Sequence, residues 1–180
     1  MTELIRTRNL DIYGHAELPW SRPLELLRSD TPTADLAFFL TTVRPDGRPH
    51  TAGVGAVWDS GTLYFVSGPG TLKSRLLAGN PWCSFGVRLT GVDLTLEGWA
   101  SRVTGPDTLE RLAAVYRSVG WPATVSESAF TAPYSAPSAG TPPWHLYRLT
   151  LRRAVGVASA EPHGASEWTF AGPEAAGPGA

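Results

Sequence analysis

Between Leu36 and Val103 the chain alternates short apolar or β-branched runs with turns of only a few residues, and this spacing constrains the fold more than any other feature. Leu36–Val43, Thr51–Trp58 and Thr62–Ser67 have strand length and strand composition, as do Trp82–Leu89 and Val92–Val103. In the last of these, Val92, Leu94 and Leu96 alternate with Asp93, Thr95 and Glu97, so one face is buried and the other wet. Arg44-Pro45-Asp46-Gly47-Arg48-Pro49 is a turn with a mechanism: proline presets φ, and Asp-Gly tolerates positive φ. Asp59-Ser60-Gly61 is a second tight turn. Parallel neighbours need a crossover of roughly a dozen residues, which these connections cannot supply. The strands are therefore antiparallel, and a doubly wound sheet is excluded.

The rest of the chain fits around that meander. Residues 1–18 read as an N-terminal arm without periodicity, and Pro19 opens a short helix with Trp20, Leu24 and Leu27 at helical spacing. Leu72–Ala78 is a second short helix closed by Gly79-Asn80-Pro81. A third follows Thr104-Gly105-Pro106-Asp107, with Leu109, Leu112, Ala113, Tyr116 and Val119 in one stripe. Residues 121–143 read as a long loop anchored by Phe130 and Tyr134, and Trp144–Ala158 as a last long strand. Residues 19–170 form one domain, and 171–180 are compositionally a disordered tail. Six short antiparallel strands with short helices at the joints favour a small, mainly β barrel.

Composition closes several routes. Fifteen Lys and Arg against 16 Asp and Glu give a net charge of −1, and a phosphate-backbone binder needs a basic excess. Nucleic acid is not an expected partner. No run of about 18 apolar residues exists to span a bilayer, and the amino terminus lacks the apolar run of a signal peptide. The single Cys83 excludes an internal disulfide, so the expectation is a cytoplasmic protein with no membrane partner. His15, His50, His145 and His163 lie in no metal-ligand spacing, and no Gly-x-Ser-x-Gly elbow is present. Metal and nucleophilic hydrolysis are not expected, and no catalytic residue can be named.

Two segments invite a ligand. Ser67-Gly68-Pro69-Gly70-Thr71-Leu72-Lys73-Ser74-Arg75 places glycines, hydroxyls and two cations where a strand meets a helix, which is anion-site chemistry. It departs from a P-loop in spacing and in Leu72 where a glycine belongs. Lys73 and Arg75 could be plain solvated helix charges. Against that, Lys73 is the one lysine among the 15 basic residues, and a compact ammonium does what a guanidinium does not. In the second strand, Gly53 and Gly55 with small neighbours suit either a planar ring against the backbone or a barrel corner.

Together these residues resemble the pyridoxamine 5'-phosphate oxidase-like, FMN-binding split-barrel superfamily, in its flavin- and deazaflavin (F420)-dependent oxidoreductase branch. The resemblance runs from Pro19-Trp20 to about Phe170. It rests on Val43-Arg44-Pro45-Asp46-Gly47-Arg48-Pro49-His50, on Val57-Trp58-Asp59-Ser60-Gly61-Thr62-Leu63-Tyr64-Phe65, on Lys73-Ser74-Arg75-Leu76-Leu77-Ala78-Gly79-Asn80-Pro81 and on Leu96–Thr104.

The resemblance implies a six-stranded antiparallel split β-barrel that forms a homodimer with the cofactor at the subunit interface. Ser67, Thr71 and Lys73, with Arg75, would hold the cofactor phosphate, and Val54, Gly55, Ala56, Val57 and Trp58 would line its ring. The implied function is hydride transfer between the cofactor and an organic small molecule. Coenzyme F420 is favoured, because Gly53–Trp58 lacks the cations that FMN-binding relatives carry there. FMN is the alternative, and a non-catalytic cofactor- or haem-binding member of the fold is a third reading. Trp99, Phe130, Tyr134 and Trp144 would either frame a substrate pocket or be core. Ser166-Glu167-Trp168 stands where the family usually has Thr-Arg-Trp, so an anion replaces a cation and an acidic ligand there would be repelled.

Overall fold

The computed structural model describes residues 3–30, 36–133 and 140–172. Its first hairpin follows the turn chemistry. Gly47 has φ +82°, and Asp46 accepts bonds from the Arg48 amide (3.1 Å) and guanidinium (2.8 Å). This turn joins β2 (Phe38–Val43) to β3 (Pro49–Val54). The expected single strand Thr51–Trp58 breaks at Gly55. Before it, β3 pairs with β2; after it, β4 (Ala56–Asp59) pairs with β5 (Thr62–Ser67). Gly55 is thus a corner where the chain changes partner, and the buried Tyr116 hydroxyl donates to its carbonyl at 3.3 Å.

Helix α2 (Leu72–Gly79) leads into β6 (Trp82–Leu89) and β7 (Val92–Val103), and α3 (Pro106–Ser118) follows. The last long strand, β10 (His145–Ala158), pairs with β7 along its length. Its other edge is divided: His145–Arg148 pair with β5, and Arg153–Val157 pair with β11 (Ala165–Phe170). A register shift between Leu151 and Arg153 marks the change. One strand shared between two partners along one edge is what splits the barrel.

Strands exceed the expected six. β1 (Leu4–Asn9) pairs with β11, so the N-terminal arm belongs to the sheet. Two buried bonds fasten it further along: Ser166 Oγ accepts from the Leu18 amide at 2.8 Å, and Trp168 Nε1 donates to the Leu18 carbonyl at 3.2 Å. The expected 121–143 loop contains a hairpin, β8 (Thr124–Ser126) and β9 (Ala129–Thr131), whose Phe130 bridges to Trp144. Tyr134 and residues 173–180 of the expected tail lie outside the described residues.

Two cores result. Phe38, Leu40, Phe65, Phe85 and Leu96 fill the barrel, and α1 (Ser21–Asp30) closes one end with Leu27 fully buried. Leu109, Leu112 and Tyr116 of α3 form the second with Phe130, Trp144 and Val57. Among the described residues no helix is long and apolar enough to cross a membrane.

Candidate functional site

The strand-to-helix turn after β5 forms as its hydroxyls require. Thr71 caps α2, accepting from the Ser74 amide at 3.4 Å and donating to the Gly68 carbonyl at 2.9 Å. Ser74 Oγ donates to Ser67 Oγ at 2.7 Å, and Ser67 and Thr71 oxygens lie 2.9 Å apart. Ser67 and Thr71 do meet, as expected, but their O–H groups are committed inside the turn. They shape it and leave an incoming anion to backbone N–H groups and cations.

Lys73 sits in the first turn of α2 with only 4% of its surface exposed. Burial pushes its ammonium below the usual lysine pKa. Arg75, two residues on, points to another side of the helix, since two residues span about 200° of a helical wheel. Its Nη1 donates to the Gly70 carbonyl at 2.6 Å. The structure therefore separates the two cations that the sequence places together. Arg75 instead faces Arg44 across a cleft of about 500 Å³ between the β2–β3 turn and α2, whose other walls are Val43, Pro45, Gly47, Leu76, Gly79 and Asn80. Among the described residues no carboxylate lines this cleft. Sequence spacing could not reveal it, because 31 positions separate Arg44 from Arg75.

Val43, at the cleft's edge, belongs to the outer face of the sheet. Direct pairing sets Phe39 between Gly53 of β3 and Gly86 of β6, and Thr41 between Thr51 and Ser84. Phe39 is 52% exposed and Trp82, one residue beyond Cys83 on β6, is 46% exposed. A Cβ on Gly53, Gly55 or Gly86 would meet nothing within 4 Å, so packing within the chain does not demand these glycines. The result is an open shelf, apolar at Phe39 and again at Val43 and Trp82, with the Thr41–Thr51 hydroxyl pair between them.

The other expected ring-lining residues divide. Val54 and Trp58 are buried in the barrel core, Val57 lies in the core beneath α3, and Ala56 is half-buried against the barrel. Gly55 alone of the five leaves its backbone open. Phe130 and Trp144 are fully buried core, and Trp99 lies under Trp82 and the Arg152 guanidinium. Cys83 is buried, and desolvation pushes its thiol up to about 12. It is inert.

The acid at position 167 does not act as expected. Arg8 bonds it through two atoms at 3.1 Å, and Arg153 Nε donates to it at 2.7 Å while Arg153 Nη1 reaches Glu97 at 2.9 Å. These bonds hold the Glu167 carboxyl below its ordinary pKa. Its charge is spent within the sheet, so the repulsion of an acidic ligand inferred from the substitution does not arise. Among the described residues no group of three or more His, Cys, Asp or Glu could hold a metal.

Solved structures share this architecture. A haem-binding protein from Mycobacterium smegmatis superposes with a TM-score of 0.59 at 16% identity, over 84% of this chain and 58% of that one. A pyridoxamine 5'-phosphate oxidase-related, FMN-binding protein from Nostoc punctiforme gives 0.52 at 15% identity, covering 88% and 100%. A putative pyridoxamine 5'-phosphate oxidase from Listeria innocua gives 0.52 at 20%, covering 74% and 94%. No curated protein sequence matches. The pyridoxamine 5'-phosphate oxidase family model matches residues 29–154, from the end of α1 through the bulge in β10. The chain therefore belongs to the pyridoxamine 5'-phosphate oxidase family of FMN-binding split barrels.

Proposed function

We propose that this protein is an oxidoreductase that binds a flavin-type cofactor, coenzyme F420 in preference to FMN, and transfers hydride to an organic small molecule. The observation that carries the reading is the shelf formed by Phe39, Gly53 and Gly86, which runs along β2 to the Arg44–Arg75 cleft. Phe39 and Val43 are four residues apart on one strand, about 13 Å. That span suits a planar ring at one end and an anionic tail at the other. The ring needs flat, apolar, Cβ-free backbone, and the tail needs cations without competing acids.

The preference for the deazaflavin rests on charge placement. FMN carries a single phosphate, whereas F420 carries a phosphodiester and further carboxylates. The chain offers cations on two sides of α2, Lys73 in its first turn and Arg75 with Arg44 in the cleft, and none on Gly53–Trp58. Lys73 and the capped turn hold the phosphate, Ser67 and Thr71 keep the turn in shape, and of the segment from Val54 to Trp58 only the open Gly55 borders the ring. A bound deazaflavin supplies a hydride for an activated double bond. The protein supplies orientation and exclusion of water. A second copy of the chain covers the shelf, burying Phe39, Val43 and Trp82, so that the cofactor lies between subunits.

The test is to mix the protein with reduced F420 and quinone or enone acceptors and follow cofactor oxidation. Turnover supports the reading. Saturable cofactor binding with no oxidation by any acceptor favours a carrier, and no binding removes the proposal.

A further inference from the structure

We propose that the cavity beneath α1, at the opposite end of the barrel from Lys73, is a second small-molecule site that takes a compact aromatic carboxylate. Gly61 and Ser67 stand at the two ends of β5, six residues or about 20 Å apart, so this cavity is separate from the turn that carries Lys73. Its inner chamber holds about 120 Å³ and is walled by Trp20, Leu24, Trp58, Leu151 and Phe170. An enclosed apolar cavity of about 150 Å³ accepts a benzene ring, and this smaller apolar chamber is open to solvent on one side.

The chamber opens outward. Arg28, Trp58 and Gly61 line both it and a wider mouth of about 350 Å³, where Asp59 and Ser60 join them. Asp59 is ion-paired to Arg111 of α3, and among the described residues no carboxylate pairs with Arg28. A guanidinium at the rim of a tryptophan-walled chamber matches a ligand with a flat apolar body and one anionic end. A neutral aromatic would fill the chamber and leave Arg28 unused, while a short aliphatic acid would reach Arg28 and leave most of the chamber unfilled.

The test uses benzoate and its neutral analogue benzamide on the full chain, read from the indole N–H resonances in a proton–nitrogen correlation spectrum. Benzoate should shift the Trp20 and Trp58 signals saturably at millimolar concentrations. Arg28→Ala, which alters an exposed side chain and leaves the fold intact, should weaken benzoate about tenfold and leave benzamide unchanged. Saturating FMN or F420 should not displace the probe. The proposal is overturned if neither indole moves, if Arg28→Ala binds benzoate as tightly as the parent, or if the cofactor competes with it.

Discussion

Replacing Lys73 with methionine tests the anion site and the fold with two readouts that should move independently. The side chain is 4% exposed, and burial already disfavours its charge. Methionine keeps the length and apolar stem while removing both the cost of a buried ammonium and the polar contact it makes, so the two effects oppose and thermal stability should change little. Cofactor affinity should fall. A hydrogen bond to a charged group is worth about 1.5–3 kcal/mol, which corresponds to a loss of roughly ten- to 150-fold. Stability is read from thermal unfolding without ligand, and affinity from quenching of tryptophan fluorescence by F420. The pH dependence adds a sign. With its folded pKa depressed, Lys73 binds fewer protons in the native state than in the unfolded one between that pKa and 10.5. Its contribution therefore grows as pH rises through that window and is missing from the methionine variant. Unchanged affinity with lowered stability would refute the reasoning and make Lys73 a structural lysine.

Further outcomes follow from single contacts. Gly98→Ala would place a Cβ 2.0 Å from the Thr150 carbonyl oxygen, so β7 and β10 must part there, and denaturant unfolding should show a loss of about 3 kcal/mol or more. Tyr116→Phe removes the bond to the Gly55 carbonyl and should cost about 1 kcal/mol without altering the secondary structure seen by circular dichroism. Phe39→Asp puts a charge on the exposed shelf, so light scattering should find a monomer for the variant and a dimer for the parent, and a monomeric parent would remove the proposed interface. Glu167, bonded to Arg8 and Arg153, has a lowered folded pKa, so its contribution is full above the unfolded value of 4.5 and is lost as pH falls through the folded one. Glu167→Gln should flatten stability across that acid window, and an unchanged acid slope would show the network to be inert.

Much of the fold was legible because turn chemistry and alternation agree from Leu36 to Val103. β1 was not, since Leu4–Asn9 is almost wholly exposed and exists by pairing with β11 rather than by any apolar pattern. β11 does alternate, with Ser166, Trp168 and Phe170 inward, but a buried serine at its start hides the pattern. Gly55 could be read as a ring contact or as a corner, and partner exchange between β2 and β5 makes it a corner. At the site, the sequence marked Lys73 through its rarity but not the rotation of the helix that parts it from Arg75. It gave no hint of Arg44, because only the hairpin's return brings that turn against α2. Glu167 looked like a reversed charge, and its meaning changed once Arg8, from the arm, came to lie beside it.

The central claim is that this barrel holds a deazaflavin on the Phe39 shelf with its anionic tail at α2. Parallel titrations of the purified protein with F420 and FMN, followed by tryptophan quenching, test it most directly. Saturable F420 binding that is tighter than FMN binding, and weakened by Arg44→Ala and by Lys73→Met, is the predicted result. Binding of FMN alone, or F420 binding indifferent to both substitutions, would contradict it.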